Sequence, residues 1–72
     1  MKSHLLLTLE AEQEEDGRWI VDVLELPGVM VYGSTREDAL AKAEVLALRV
    51  MADRIEHAEL PFGSVEIRFA AA

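Results

Sequence analysis

The sequence predicts a small α+β domain in the order β-β-β-α-β, with an antiparallel-rich sheet and one helix on a face. Three observations carry this prediction. Apolar and polar residues alternate in segments near both ends of the chain. Between these segments lies a stretch of about 20 residues with helical periodicity. Several helix-start signals at residues 33–40 precede this stretch. The connections between the first three strands are short, which favours an antiparallel meander.

The first two strands form a predicted hairpin. From Leu7 onward residues 7–12 alternate, so that one face is apolar and the other polar, as in a half-buried strand. Residues 13–17 are an acidic turn that ends in Asp-Gly, a strong hairpin signal. The return strand, residues 18–24, is rich in β-branched and aromatic residues, and Trp19 shares a face with Val21 and Val23.

A third strand is predicted between two breakers. Pro27 cannot donate to a ladder and Gly28 supplies backbone freedom, so Leu26-Pro27-Gly28 indicates a turn. Residues 29–32 then form a short apolar strand that ends at Gly33.

The helix is predicted from about Arg36 to about His57. Two overlapping capping boxes precede it, Ser34 with Glu37 and Thr35 with Asp38, and we prefer Thr35 as the N-cap. At 100° per residue, the predicted buried stripe comprises Leu40, Ala43, Ala47 and Met51, flanked by Leu48, Val50 and Ile55. His57 lies at the C-terminal end, where a cation is favoured.

The apolar arc of this helix is wider than a small sheet requires. Val45 and Leu46 extend it, which suggests a second contact surface and a homo-oligomer, either a dimer or a tetramer. The alternative is that Val45 is a single exposed apolar residue, which is common.

The C-terminal segment contains the fourth predicted strand. Residues 59–63 indicate a loop because they contain Pro61 and Gly63. Residues 64–69 alternate again, with Val65, Ile67 and Phe69 facing inward. Residues 1–72 therefore form one predicted domain without repeats or linkers.

Composition excludes several classes of protein. The chain has no cysteine and only two histidines, so we expect neither a disulfide framework nor a structural zinc site. The formal net charge of −7 argues against binding of nucleic-acid phosphates by this chain alone and suits a basic partner. No apolar run is long enough for a membrane span, and we expect a cytoplasmic protein.

Catalytic equipment is not evident in the sequence. It has no glycine-rich phosphate loop, and no nucleophile stands at a spacing from a base that would single it out. Asp22 is a lone strand carboxylate, which we interpret as solvent-facing; a metal-dependent nuclease that uses Asp22 is the enzymatic alternative. We expect no enzyme, no catalytic residue, no cofactor and no metal.

Three motifs together resemble the HicB-like antitoxins. They are Glu15-Asp16-Gly17-Arg18-Trp19, then Leu26-Pro27-Gly28, then Gly33-Ser34-Thr35-Arg36-Glu37-Asp38-Ala39-Leu40. The family pattern has an acid-Asp-Gly-x-aromatic hairpin, a Leu-Pro-Gly turn and Gly-x-Thr-x-Glu-Glu-Ala-Leu at the helix start. The match spans about residues 5–60 in the same order and spacing. It departs after Leu-Pro-Gly, where the family often has Cys and this chain has Val29.

The resemblance implies a partial RNase H-like fold, dimers or higher oligomers, and a small basic HicA-type RNase toxin as partner. Many members carry a C-terminal DNA-binding segment, whereas residues 1–72 contain none, so we expect a short standalone member. The predicted function is neutralisation of such a toxin by covering its surface. The alternative is an orphan homo-oligomeric structural or regulatory protein of the same fold without a toxin partner. For partner contacts we expect the exposed helix side and Glu14, Glu15, Asp16, Trp19 and Tyr32.

Overall fold

The computed structural model describes residues 3–57 and 65–71, which follow the predicted order β-β-β-α-β. The elements are β1 (Ser3–Gln13), β2 (Trp19–Val23), β3 (Met30–Gly33), α1 (Arg36–Glu56) and β4 (Val65–Ala71). The predicted loop at residues 59–63 and Ser64 lie outside the described residues.

The four described strands form one mixed sheet in the order β3-β2-β1-β4. β1 pairs antiparallel with β2, and β2 pairs antiparallel with β3, which confirms the predicted meander. β4 instead pairs parallel with β1, from Ser3 opposite Val65 to Leu9 opposite Ala71. A parallel neighbour requires a long crossover, which α1 contributes, so the chain passes from one edge of the sheet to the other.

The core lies between α1 and one face of the sheet. Its buried residues are Leu7, Leu9, Val21, Val23, Leu26, Ala39, Ala43, Ala47 and Met51. Odd-numbered residues of β1 and β2 contribute the strand side of this core, as the alternation in the sequence predicts. Trp19, Ile67 and Phe69 pack around it as partly buried side chains.

The buried stripe of α1 differs from the predicted one at its edges. It begins at Ala39, which is fully buried, whereas Leu40 is only partly buried. Residues four apart stay near one face, so Ala39 continues the line to Ala43 while Leu40 is turned by a further 100°. The predicted flanking residues Leu48 and Ile55 are exposed.

The N-terminus of α1 is capped as predicted. Thr35 is the N-cap, and its hydroxyl accepts a hydrogen bond from the Asp38 N–H at 3.0 Å. The Asp38 carboxylate accepts from Lys42 Nζ at 3.0 Å and from the Ser34 N–H at 3.1 Å. The Lys42 ammonium first, and then the Ser34 amide, lower the pKa of Asp38 below its ordinary value.

Two glycines with positive φ confirm the predicted turns. Gly17, at φ +93°, closes the β1–β2 hairpin, whose Glu14 N–H donates to the Arg18 carbonyl at 2.7 Å. Gly28, at φ +87°, follows Pro27 in a turn closed by the Val29 N–H and the Leu26 carbonyl at 3.0 Å, as a type II turn requires.

Candidate protein-binding face

The sheet face opposite α1 carries the candidate site. Even-numbered strand residues point to this face, since odd-numbered ones fill the core. Across β1, β2 and β3 they form two rows, which we call the open-face patch. Its residues are Glu12, Ile20 and Tyr32 in one row and Glu10, Asp22 and Met30 in the other.

Each row joins carboxylates to apolar side chains. Tyr32 and Met30, on the edge strand β3, remain 42% and 47% exposed, respectively. Ile20 is partly buried between Glu12 and Tyr32, and Asp22 is partly buried between Glu10 and Met30. Directly opposed strand residues have their Cβ atoms about 4.5–5.5 Å apart, so a partner would meet acid and apolar groups within one small area.

An arginine links the hairpin tip to this patch. The Arg18 N–H and Nε donate to the two carboxylate oxygens of Asp16 at 3.0 and 2.7 Å. The same guanidinium lies over the Tyr32 ring, 4.6 Å from its centroid, which is a cation–π contact. The backbone amide of Arg18 first, and then its guanidinium, lower the pKa of Asp16. Asp16 therefore holds the Arg18 side chain in its position over the Tyr32 ring.

The structure brings together some of the predicted partner residues. Glu14, Glu15 and Asp16 line a shallow concavity of about 360 Å³ with Arg18, and Arg18 leads to Tyr32. Trp19 lies apart from them, because it faces α1 and packs partly against the core. Its position between Gln13 and Gly33 is set by the same register that places Ile20 beside Tyr32.

Sequence reasoning did not select the remaining patch residues as partner contacts. Glu10, Glu12, Ile20 and Met30 each look like an ordinary strand residue in isolation. The usable signal was the alternation itself, because once odd positions are assigned to the core, the even ones must share the opposite face.

The exposed side of α1 forms a second surface, which we call the helix-flank groove. It is a shallow apolar groove of about 370 Å³ lined by Val31, Ala41, Lys42, Val45, Leu46 and Arg49. Val45 is 50% exposed, so the apolar arc predicted from the sequence does extend past the sheet contact.

Among the described residues, one set of three potential metal ligands converges, namely Asp53, Glu56 and His57 at the end of α1. All three are exposed. His57 Nδ1 lies 2.8 Å from the Asp53 carbonyl oxygen and 3.3 Å from its carboxylate, so these contacts account for the arrangement as a helix terminus. Asp22 lies on the sheet, away from this set.

Comparisons with protein-family models, curated proteins and solved structures found no match to this chain. In the described part of the chain, α1 is too polar to cross a membrane. Interpretation of the site therefore depends on its own geometry.

Proposed function

We propose that this chain is an antitoxin-like protein-binding module that neutralises a small basic RNase of the HicA type by covering its surface. The observation that carries this proposal is the open-face patch, in which three carboxylates and three apolar side chains share one exposed sheet face.

The chemistry of the patch suits a basic protein partner. Glu10, Glu12 and Asp22 attract a positively charged surface and orient its approach, which raises the association rate. Met30 and Tyr32 contribute area that loses water on binding, and tyrosine is enriched among residues that dominate binding energies. Because Arg18 restrains the Tyr32 ring, less side-chain entropy is lost when a partner docks.

The proposal includes the family assignment. The mixed sheet with one helix agrees with the partial RNase H-like fold that the resemblance to HicB-like antitoxins implies. We propose binding rather than catalysis, and a cytoplasmic location, where an RNase toxin would act. Covering the surface of the toxin requires only a face of this chain that is complementary to that surface.

A second candidate is an orphan homo-oligomer of the same fold. The helix-flank groove favours it, since the exposed Val45 and the partly buried Val31 and Leu46 form an apolar strip that a second copy could cover. This candidate does not require a toxin.

The test begins with affinity capture of the full chain from its native host. Any small basic protein that co-elutes is then purified and assayed for RNA cleavage with and without this chain. We expect cleavage that is suppressed at equimolar antitoxin. If every captured protein lacks RNase activity, or if its activity is unchanged by this chain, the proposal is wrong.

Two charge-reversal variants locate the binding surface. Glu10→Lys reverses a patch carboxylate, while Glu56→Lys makes the same charge change on α1, away from the patch. We expect Glu10→Lys and Tyr32→Ala each to weaken toxin binding at least about tenfold, which corresponds to about 1.4 kcal/mol. Glu56→Lys should retain wild-type binding. Equal losses in Glu10→Lys and Glu56→Lys would indicate attraction by net charge alone.

A further inference from the structure

The outer edge of β3 is open in the described part of the chain. β3 is an edge strand in the order β3-β2-β1-β4, and no strand among residues 3–57 and 65–71 lies beyond it. The segments that join β3 to β2 and to α1 are described in full, and β4 lies at the opposite edge of the sheet. The outer backbone groups of β3 are therefore a template for a further strand.

The register of β3 identifies which of its backbone groups point outward. The Val23 N–H donates to the Val29 carbonyl at 3.0 Å, so these two residues form a hydrogen-bonded pair. Hydrogen-bonded and non-bonded pairs alternate along antiparallel strands, so Asp22 and Met30, the next pair, are non-bonded. Tyr32 lies two residues further along β3 and has the same orientation as Met30. The backbone N–H and C=O groups of Met30 and Tyr32 thus point away from β2.

The helix-flank groove lies beside this edge, on the α1 side of the sheet. Val31 packs partly against the core and lines the groove, where Val45 of α1 is 50% exposed. A strand added beyond β3 would place the residue opposite Val31 on the same face, with the two Cβ atoms about 4.5–5.5 Å apart. An apolar side chain at that position would cover Val31 and Val45.

The charge of the groove is opposite to that of the open-face patch. Its charged lining residues are Lys42 and Arg49, and none of the described residues that line it is acidic. Lys42 pairs with Asp38 at 3.0 Å, whereas Arg49 is exposed and forms no ion pair with a described residue. Arg49 therefore favours an acidic partner, in contrast to the basic surface that suits the open-face patch.

The spacing of helix and strand residues specifies where the acid of such a partner lies. Arg49 follows Val45 by about one helical turn, which is about 6 Å along the axis at about 1.5 Å per residue. Side chains two positions apart on a strand share a face and are about 6.6 Å apart. A strand with an acid two positions from an apolar residue therefore contacts Val45 and Arg49 at once.

We propose that the β3 edge and the helix-flank groove together bind an extended acidic segment of a partner protein, which adds to the sheet beside β3. Hydrogen bonds to the outward backbone groups of Met30 and Tyr32 contribute affinity, and the side chains of the segment contribute specificity. Its apolar residue enters the groove, and its acid pairs with Arg49. The outward backbone groups favour this occupant over the α1 helix of a second copy, because a helix pairs its own backbone groups internally.

This inference goes beyond the proposed function, since it concerns a different surface and a partner of opposite charge. The toxin would contact side chains on the open face, whereas the acidic segment contacts the outer backbone of β3 and the side of α1. If the chain suppresses the RNase but binds no acidic segment, this inference alone is wrong. If it binds the segment but suppresses no RNase, the proposed function alone is wrong.

The probe is the end-blocked peptide Thr-Glu-Thr-Val-Thr-Glu-Thr, which has an acid on each side of valine and so fits either strand direction. It is added to the isotopically labelled full chain, and amide exchange is followed by NMR. With the peptide at about ten times its dissociation constant, exchange at Met30 and Tyr32 should slow about tenfold. Val31 is the internal control, because its N–H already points toward β2. Absence of binding, or binding without protection of Met30 and Tyr32, would overturn the proposal.

A matched peptide tests the pairing with Arg49. The control peptide has glutamine in place of both glutamates. It should bind the wild type about fivefold more weakly than the acidic peptide, equivalent to about 1 kcal/mol. Arg49→Gln should bind the two peptides equally, because the cation that distinguishes them is gone. The same preference for the acidic peptide in wild type and Arg49→Gln would contradict the pairing.

A matched pair of α1 variants tests the groove. Val45 and Leu48 are 50% and 47% exposed, and Leu48 does not line the groove. Val45→Ser should weaken binding of the acidic peptide about fivefold, equivalent to about 1 kcal/mol, and Leu48→Ser should bind it like the wild type. Sedimentation equilibrium of the same chains without peptide tests the other occupant. A wild-type dimer that Val45→Ser dissociates and Leu48→Ser does not would assign the groove to a second copy and overturn the proposal.

Discussion

Glu25 binds Thr8 through both of its carboxylate oxygens. Oε1 accepts from the Thr8 backbone N–H and Oε2 from the Thr8 hydroxyl, each at 2.6 Å. β2 ends at Val23, although the next amide, that of Leu24, still donates to the Thr8 carbonyl at 3.0 Å. At the point where the β1–β2 ladder ends, the Thr8 N–H thus donates to the Glu25 carboxylate instead of to a backbone carbonyl of the neighbouring strand.

This pairing predicts that stability falls in acid. The Thr8 hydroxyl first, and then the Thr8 amide, lower the pKa of Glu25 below its ordinary value of 4.5. A lowered folded-state pKa means that the ionised carboxylate favours the folded chain, so its contribution is present above pH 4.5 and is lost as the pH falls through the lowered pKa. Urea unfolding of the wild type and Glu25→Gln should therefore differ most near neutral pH and converge in acid.

Thr8→Val provides the control for this prediction. It removes the hydroxyl donor but keeps the backbone N–H, so only part of the pH-dependent difference should be lost. A difference between wild type and Glu25→Gln that stays constant from neutral pH to well below 4.5 would contradict the assignment.

The N-cap predicts an asymmetry between two adjacent hydroxyl residues. Thr35→Ala removes the acceptor of the Asp38 N–H and should lower the free energy of unfolding by about 1 kcal/mol. Ser34→Ala should change it by less than about 0.5 kcal/mol, because Ser34 is exposed and precedes the cap. Chemical denaturation of both variants measures these changes. If Ser34→Ala lowers the free energy of unfolding as much as Thr35→Ala or more, Thr35 is not the N-cap.

Gly33 lies so close to the start of α1 that any side chain at this position would clash with the helix. A Cβ at Gly33 would lie 2.5 Å from Ala39 N, 2.7 Å from its Cα and 2.8 Å from its Cβ. Gly33→Ala must therefore displace the helix backbone, at a cost of about 1–3 kcal/mol. The Ala39 N–H, which donates to the Thr35 carbonyl at 3.0 Å, should exchange with solvent faster in this variant. Wild-type stability together with unchanged exchange at Ala39 would show that the helix tolerates the methyl group.

Features set by local sequence were predictable here. The alternation around Leu7 and Leu9, the Asp-Gly hairpin, the Pro-Gly turn and the Thr35 cap each arise from residues close together in the chain. Their physical signals, such as positive φ at glycine and an N-cap hydroxyl, are contained within a few positions.

Features that depend on strand register were not predictable. Thr8 and Glu25 are 17 residues apart, and nothing local marks them as partners. The Arg18–Tyr32 contact requires β2 and β3 to pair with Ile20 opposite Tyr32. In the same way, both Trp19 and Tyr32 are predicted partner contacts, although the sequence places Trp19 on the face of Val21 and Val23, and the pairing of β2 with β3 places Tyr32 on the opposite face.

The buried alanines of α1 allow the helix to pack closely against the sheet. Ala43 is fully buried against the strands, so Ala43→Leu inserts side-chain volume where none is free and should cost about 1–3 kcal/mol of unfolding free energy. Ala52→Leu makes the same change on the exposed side of the same helix. Alanine and leucine are both strong helix formers, so Ala52→Leu should stay within about 0.5 kcal/mol of wild type. Urea midpoints, compared at unchanged m-values, measure both effects. If the two variants lose similar amounts of unfolding free energy, helix propensity and not contact with the sheet sets the preference for alanine at position 43.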